Sequence, residues 1–370
     1  MRMRTAWLVT ALLAAEVPAL AAKPPKVQWT KTFSGLASTG GYSVTQTFDH
    51  GYIAVGGTCP DTGAYDIYYV VKTDSLGDSL WHITDGWAKE SDVWSVVQTT
   101  DSGYVMAGTA APMGQPESSG TYLVRLNSHG GVRWQKIIDT KGAGFSVVQT
   151  SDGGFVVAEL IPGADSAVCL IKTDSSGNRV WKSPFHMRYG LHAEYIPMAS
   201  TADGGFIVGA KTLIKADSVG NLQWSKAYDS AFAAYSVVQV PDGGYAATGV
   251  ARYGGLRPRF FMYLLKTDSQ GNLTWKRNYQ NTHRDSLGYW IELAKDSGSR
   301  DFGLVATGYV ASDKSVSGYV VRTNSSGDVQ WQMLIDPPAQ CLRGTSDGGH
   351  ILVGSSHGLV LTKLAPEGKR

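Results

Sequence analysis

Cysteine is scarce in this 370-residue chain, and the little there is forms no motif. Cys59, Cys169 and Cys341 lie far apart, with no CxxC or paired spacing to mark a zinc site or a disulfide framework. An odd count cannot pair wholly within the chain, so the three read as small buried hydrophobes. Charge is sparse as well. Charged residues make up 17% and the formal net charge is +2, which leaves no field to attract nucleic acid or an anionic membrane. Beyond the N-terminus no apolar run reaches the length of a transmembrane helix. No HExxH, Walker loop or GxGxxG occurs, and "DSLGD" lacks the ligand count of a calcium loop.

Glycine and a leader-like N-terminus are what the chain does have. Its 44 glycines follow no collagen period and point to many tight turns. "MRMRTAWLVTALLAAEVPALAAKPP" runs from Arg2 and Arg4 through an apolar stretch to Ala19-Leu20-Ala21, the order of a secretory signal. Residues 1–21 are therefore expected to be removed on export, leaving residues 22–370 as one secreted or periplasmic domain.

Repeats organise that domain. Tryptophans stand at 29, 81, 134, 181, 224, 275 and 331, spaced by 52, 53, 47, 43, 51 and 56 residues. A second mark keeps time with them: "DHGY", "DSGY", "DGGF", "DGGF", "DGGY" and "DGGH" begin at Asp49, Asp101, Asp152, Asp203, Asp242 and Asp347, and a stretched copy begins at Asp296. Within a unit, "YSVTQT", an Asp-Gly turn and "YIAVGGT" read as a hairpin of period two, followed by "IYYVVKT", a turn through Asp74 and Gly77, and "DSLWHIT". Four short antiparallel strands, A to D, in each of seven units predict an all-β, seven-bladed β-propeller. The last unit lacks its tryptophan strand and "KVQWTKTF" is an orphan one, so the N-terminal strand is expected to complete blade seven.

Over nearly all of residues 27–370 the chain resembles secreted bacterial β-propellers built from "DGG[FY]…KTD..G…W" repeats, a group bordering on the quinoprotein-like propellers. Its Gly-x-x-x-Trp half is similar to the quinoprotein docking motif, but the acid lies three residues before the glycine where that motif has four. The resemblance implies a fold and an export route. A quinoprotein enzyme would add a calcium cluster and a base near the axis, which the sequence does not display, and no cofactor is expected.

The cassette "KTDSLGDSLW" itself reads as structural. Asp74, Asn127, Asp174, Asp217, Asp268 and Asn324 are placed to bond the turn backbone. Each Lys or Arg is expected opposite its tryptophan, with a cation–π contact between them. Seven copies around a ring cannot all serve one active site.

Departures from the repeat carry the functional reading. Six residues before the turn aspartate stand Ser43, Ser95, Ser146, Pro197, Ser236, Trp290 and Cys341; four before it, Thr45, Val97, Val148, Ala199, Val238, Glu292 and Arg343. Glu292 and Arg343 thus occupy equivalent places on neighbouring inner strands and are expected to pair across the blade interface or to join a ligand site. The third place reads Gln in blades 1, 2, 3 and 5, but Ser200, Leu293 and Gly344 elsewhere. The variable D–A and B–C loops share one face and collect Trp87, His186, Tyr189, His192, Arg252, Arg257, Arg259, His283 and Arg284, the aromatic and cationic residues of a binding surface. Glu159, replacing a small residue at the end of strand B, is expected to face the same loops. These observations favour a monomeric, non-catalytic binding or scaffolding propeller for an extracellular protein or glycan. The alternative is a quinoprotein-like oxidoreductase or a polysaccharide-acting enzyme on that face.

Overall fold

In a computed structural model, residues 22–367 are described apart from 36–37, 60–66, 85–87, 113–118, 163–166, 187–194, 229–231, 254–258, 280–284, 295–301 and 312–314. The leader-like segment 1–21 lies outside the described residues. The strands form seven antiparallel sheets of four, a seven-bladed β-propeller. Blade 1 shows the pattern, with strands A to D at Ser38–Gln46, Tyr52–Cys59, Ile67–Thr73 and Ser79–Thr84. Blade 7 takes A to C from Ala339–Gly344, His350–Ser355 and Leu359–Leu364, and its D strand from Val27–Phe33 at the other end of the chain. Trp29 there pairs with Lys363.

Period two holds only in part. Strand D alternates between exposed and half-buried, because one of its faces meets solvent. Strands B and C are buried almost throughout, since neighbouring blades cover both faces of each sheet. Their apolar runs, such as "IYYVV", follow from that double cover.

The two repeating marks form one device. Lys72 does lie opposite Trp81, as Lys172 does Trp181 and Lys215 does Trp224. Its ammonium nevertheless turns away from the indole. Lys72 Nζ sits 2.9 Å from Asp49 of the A–B turn and donates to the Thr73 carbonyl at 2.7 Å. The same clamp joins Lys172 to Asp152, Lys215 to Asp203 and Lys363 to Asp347, each at 2.9 Å, and Arg125 to Asp101. The expected cation–π contact with Trp81 gives way because a buried ammonium gains more from a carboxylate and a carbonyl than from a ring face. The last glycine of the turn leaves the room: a Cβ on Gly51 would fall 2.6 Å from Lys72 Nζ.

The indoles freed by this arrangement join the blades. Trp134 packs against Gly177 of the next C–D turn, where a Cβ would come within 2.8 Å of the ring. Trp29, Trp81, Trp181, Trp224 and Trp275 dock likewise on Gly77, Gly130, Gly220, Gly271 and Gly327. Trp331 meets no such turn, since strand D of blade 7 comes from the N-terminal end; it is fully buried, with Ala22 packed against its cluster. The turn acids act as expected: Asp74 accepts the backbone N–H groups of Leu76 and Asp78, both at 2.9 Å.

Candidate functional site

Six of the seven inner strands carry a β-bulge at the same place. Pairing between strands A and B skips one residue after Gly41, Val93, Gly144, Ala234, Gly288 and Ala339. The residues set free are Tyr42, Trp94, Phe145, Tyr235, Tyr289 and Gln340. A bulge re-aims its side chain, and here five of the six are aromatic. Blade 4 has a short inner strand, Met198–Ser200, and Tyr195 just before it supplies the ring.

The rings meet around the channel. Tyr42 stacks on Trp94 at 4.4 Å, Trp94 meets Phe145 at 6.0 Å and Phe145 meets Tyr195 at 5.9 Å. Across the channel Tyr235 and Tyr289 are 6.3 Å apart, and Tyr289 touches Tyr309 at 5.7 Å. All of these rings but the buried Phe145 line a cavity of about 430 Å³ whose remaining lining includes Phe260, Leu287, Trp290 and Gln340. Phe260 begins strand C of blade 5 (Arg259–Thr267), Leu287 begins strand A of blade 6 (Asp285–Ala294) and Tyr309 nears the end of strand B (Gly303–Ala311). Those strand ends meet the B–C and D–A loops, so the cavity is a cup at the loop-rich end of the channel. No carboxylate lines it among the described residues.

Below the cup, the next two layers are mostly structural. The sixth-position serines bond the following blade: the Val147 N–H donates to Ser95 Oγ at 3.3 Å, and Ser146 donates to the Met198 carbonyl at 3.4 Å. The glutamines cap the A–B turn of the preceding blade, Gln98 accepting from Phe48 N–H at 2.7 Å and Gln46 from Ser346 N–H at 2.7 Å. Leu293 replaces glutamine where the preceding turn carries Pro241, which has no N–H to cap.

Glu292 and Arg343 do not pair with each other. Glu292 accepts the Gly344 N–H at 3.0 Å, while the Arg343 guanidinium carbon lies 4.6 Å from the Trp290 ring centroid. Among the described residues no hydrogen bond or ion pair involves Arg343, and its Nε is buried without an acceptor. The planar guanidinium has taken the indole face in place of the carboxylate. Trp290 thereby links the cup wall to a cation deeper in the channel. Burial pushes the Tyr195 phenol far above its ordinary value, and the positive charge of Arg343 works against that rise. Cys341, in the same inner strand, is pushed up to about 11 by burial and stays a thiol at neutral pH.

The structure separates the other sequence candidates. Trp87, Tyr189, His192, Arg257, His283 and Arg284 lie outside the described residues. His186 ends strand D of blade 3 (Arg179–His186), and its side chain is outside them too. Arg252 and Arg259 are exposed in the hairpin that carries Phe260. Glu159 is turned to the D–A link between Asp139 and Ala143, where a Cβ on Gly142 would fall 1.9 Å from its Oε1, but it is fully buried there, held by Lys182 at 3.3 Å, and Lys182 also binds Asp139 at 2.9 Å. Burial pushes Glu159 up to about 7. The string Gly354-Ser355-Ser356-His357-Gly358 fits GxSxG, but it is the B–C turn of blade 7, where Ser355 Oγ accepts the Gly41 N–H at 2.9 Å. A nucleophile elbow needs a strand-to-helix turn, and a helix is absent among the described residues. They hold no cluster of three His, Cys, Asp or Glu side chains suited to a metal.

Sequence reasoning missed the aromatic ring by one position. The seventh place before the turn aspartate reads Tyr42, Trp94, Phe145, Ile196, Tyr235, Tyr289 and Gln340, a bias visible without coordinates.

No protein-family model and no curated protein matches this chain. Solved structures do. YCF48 bound to the D1 peptide is 11% identical with a TM-score of 0.57, over 95% of this chain and 100% of that one. Sqt1 of Chaetomium thermophilum, bound to the N-terminus of ribosomal protein L10, is 13% identical with a TM-score of 0.56, over 90% and 98%. A catalytically inactive virginiamycin B lyase of Staphylococcus aureus with quinupristin is 9% identical with a TM-score of 0.57, over 91% and 99%. At such identities the likeness is one of fold.

Proposed function

We propose that this chain is an exported, non-catalytic binding propeller whose seat is the aromatic cup, and that its ligand is a protein segment. The observation that carries this reading is the cup: aromatic side chains from five blades converge on about 430 Å³, with no carboxylate among the described lining residues. That size and lining suit one or two apolar side chains anchored in a rigid hole. A sugar would ask for a denser set of hydrogen-bonding groups than phenols and one glutamine amide supply, so protein is favoured over glycan. Two of the similar folds, Sqt1 and YCF48, were solved with a protein segment and a peptide. The Arg2/Arg4 leader supports export.

Peptide and glycan arrays probed with residues 22–370 test the ligand class. Hits confined to peptides with apolar or aromatic residues are expected. Hits confined to glycans would replace the protein reading, and turnover of a bound compound would replace the non-catalytic one. N-terminal sequencing of the exported protein should begin at Ala22, and a retained Met1 would contradict export by a cleaved leader.

A further inference from the structure

We infer that the cup selects a segment that carries a carboxylate beside its apolar side chain, with Arg343 as the carboxylate's partner. This inference rests on the cup being the ligand seat. Arg343 is a half-buried cation without a counter-ion among the described residues, stacked on the indole that forms part of the cup wall. A partly desolvated guanidinium with no acceptor is costly. The neighbouring acid does not relieve it, since Glu292 is turned to the Gly344 N–H. The described lining residues above offer no negative charge either. Cationic ligands are therefore repelled, neutral ones leave the guanidinium unmet, and an anion meets it.

The geometry fits a short chain segment. Arg343 stands three residues below the cup residue Gln340 on one inner strand, about 10 Å at the usual strand rise. Two extended residues of a ligand span about 7 Å, so an aromatic side chain seated among Tyr289, Trp290 and Phe260 leaves the adjoining carboxylate near the guanidinium. That carboxylate has two sources, a chain terminus or an acidic side chain. The chemistry at Arg343 is the same for both: a planar, two-donor fork on two oxygens.

Calorimetric titration of residues 22–370 with two matched probe pairs separates the cases. N-acetylphenylalanine against its amide presents a terminal carboxylate, and acetyl-Phe-Asp-amide against acetyl-Phe-Asn-amide presents a side-chain one. At least one acid is expected to bind about tenfold or more tighter than its neutral partner, and which pair shows the gap identifies the source. Arg343→Gln should abolish the gap while sparing the neutral probe. Glu292→Gln, which removes a nearby negative charge and keeps an acceptor for Gly344, should widen it, and this second variant decides the matter if Arg343→Gln does not fold. Acid and amide binding equally in the unmodified protein would overturn the inference and leave the cup reading intact. Failure of all four probes while array peptides bind outside the cup would overturn both.

Discussion

The buried lysine clamp of blade 4 should respond asymmetrically to the loss of its two partners. Lys215 is 3% exposed and Asp203 is 51% exposed, and they meet at 2.9 Å. Asp203 also accepts from Gly205 N–H at 3.0 Å and from the Thr201 hydroxyl. Asp203→Asn keeps an oxygen for both of those donors and removes only the charge. It leaves a desolvated ammonium without its counter-charge, bonded to the Ala216 carbonyl at 2.8 Å and to the retained oxygen at 3.2 Å. Breaking a wholly buried pair costs about 3–5 kcal/mol, whereas exposed pairs are worth about 0–1 kcal/mol. The half-open carboxylate places this pair between them, at about 2 kcal/mol. Lys215→Met instead replaces the cation with an apolar chain of similar length and leaves an aspartate that water can reach, so about 1 kcal/mol or less is expected. The double variant should resemble Lys215→Met alone, which gives a coupling of about 2 kcal/mol. Urea unfolding with unchanged m-values measures all three. A larger loss for Lys215→Met than for Asp203→Asn, or simple additivity, would refute the clamp as the reason the two marks recur together.

Three further outcomes follow from the same contacts. Asp152, Asp203 and Asp347 are each held at about 2, below the usual aspartate value, by their threonine, lysine and turn N–H partners against any opposing burial. A depressed folded value stabilises the protein above pH 4 and is lost as pH falls towards 2, so the urea midpoint should drop steeply in that window; a flat profile would contradict it. Glu159 has the opposite sign. Burial raises it to about 7, so its ionised form opposes folding above pH 7 and the penalty fades as pH falls towards the ordinary value, which means Glu159→Gln should gain on the unmodified protein from pH 5 to pH 8 in thermal melts. Gly153 and Gly177 share positive φ, 79° and 78°, but only Gly177 has a tryptophan against it. Gly153→Ala should cost about 1 kcal/mol for its backbone alone, and Gly177→Ala clearly more; equal losses would remove the docking role of Trp134.

The fold was legible because the repeat fixes it: an Asp-Gly turn, a basic residue and a tryptophan recur at a period that only a ring of four-stranded blades absorbs. The orphan strand at "KVQW" foretold the closure with Leu359–Leu364. What the basic residues do was not legible. Register places Lys72 beside Trp81, yet register does not say on which side of the sheet the ammonium finds its counter-charge, and Asp49 lies across two strands. Glu292 and Arg343 show the same limit, since equivalent positions on adjacent strands bring two charges near without making them partners. The cup was hidden by the bulge. Strict alternation assigns Tyr42 and Trp94 to a sheet face, and the extra residue turns them to the channel. Of the loop candidates, Arg252 and Arg259 share a hairpin with Phe260 of the cup, but Trp290 and Arg343 were singled out as breaks in a pattern rather than as one wall and its cation.

The most direct test is a titration of an array-selected peptide against two paired variants. One, Phe260→Ala/Tyr309→Ala, strips two partly exposed rings from the lip of the cup. The other, Trp87→Ala/Arg257→Ala, removes two of the loop residues singled out from the sequence. Loss of affinity of about a hundredfold in the first, near 3 kcal/mol for two anchor rings, with little change in the second, is what a channel seat predicts. Binding that survives the first and fails in the second would place the ligand on the loop face and leave the aromatic cup as packing.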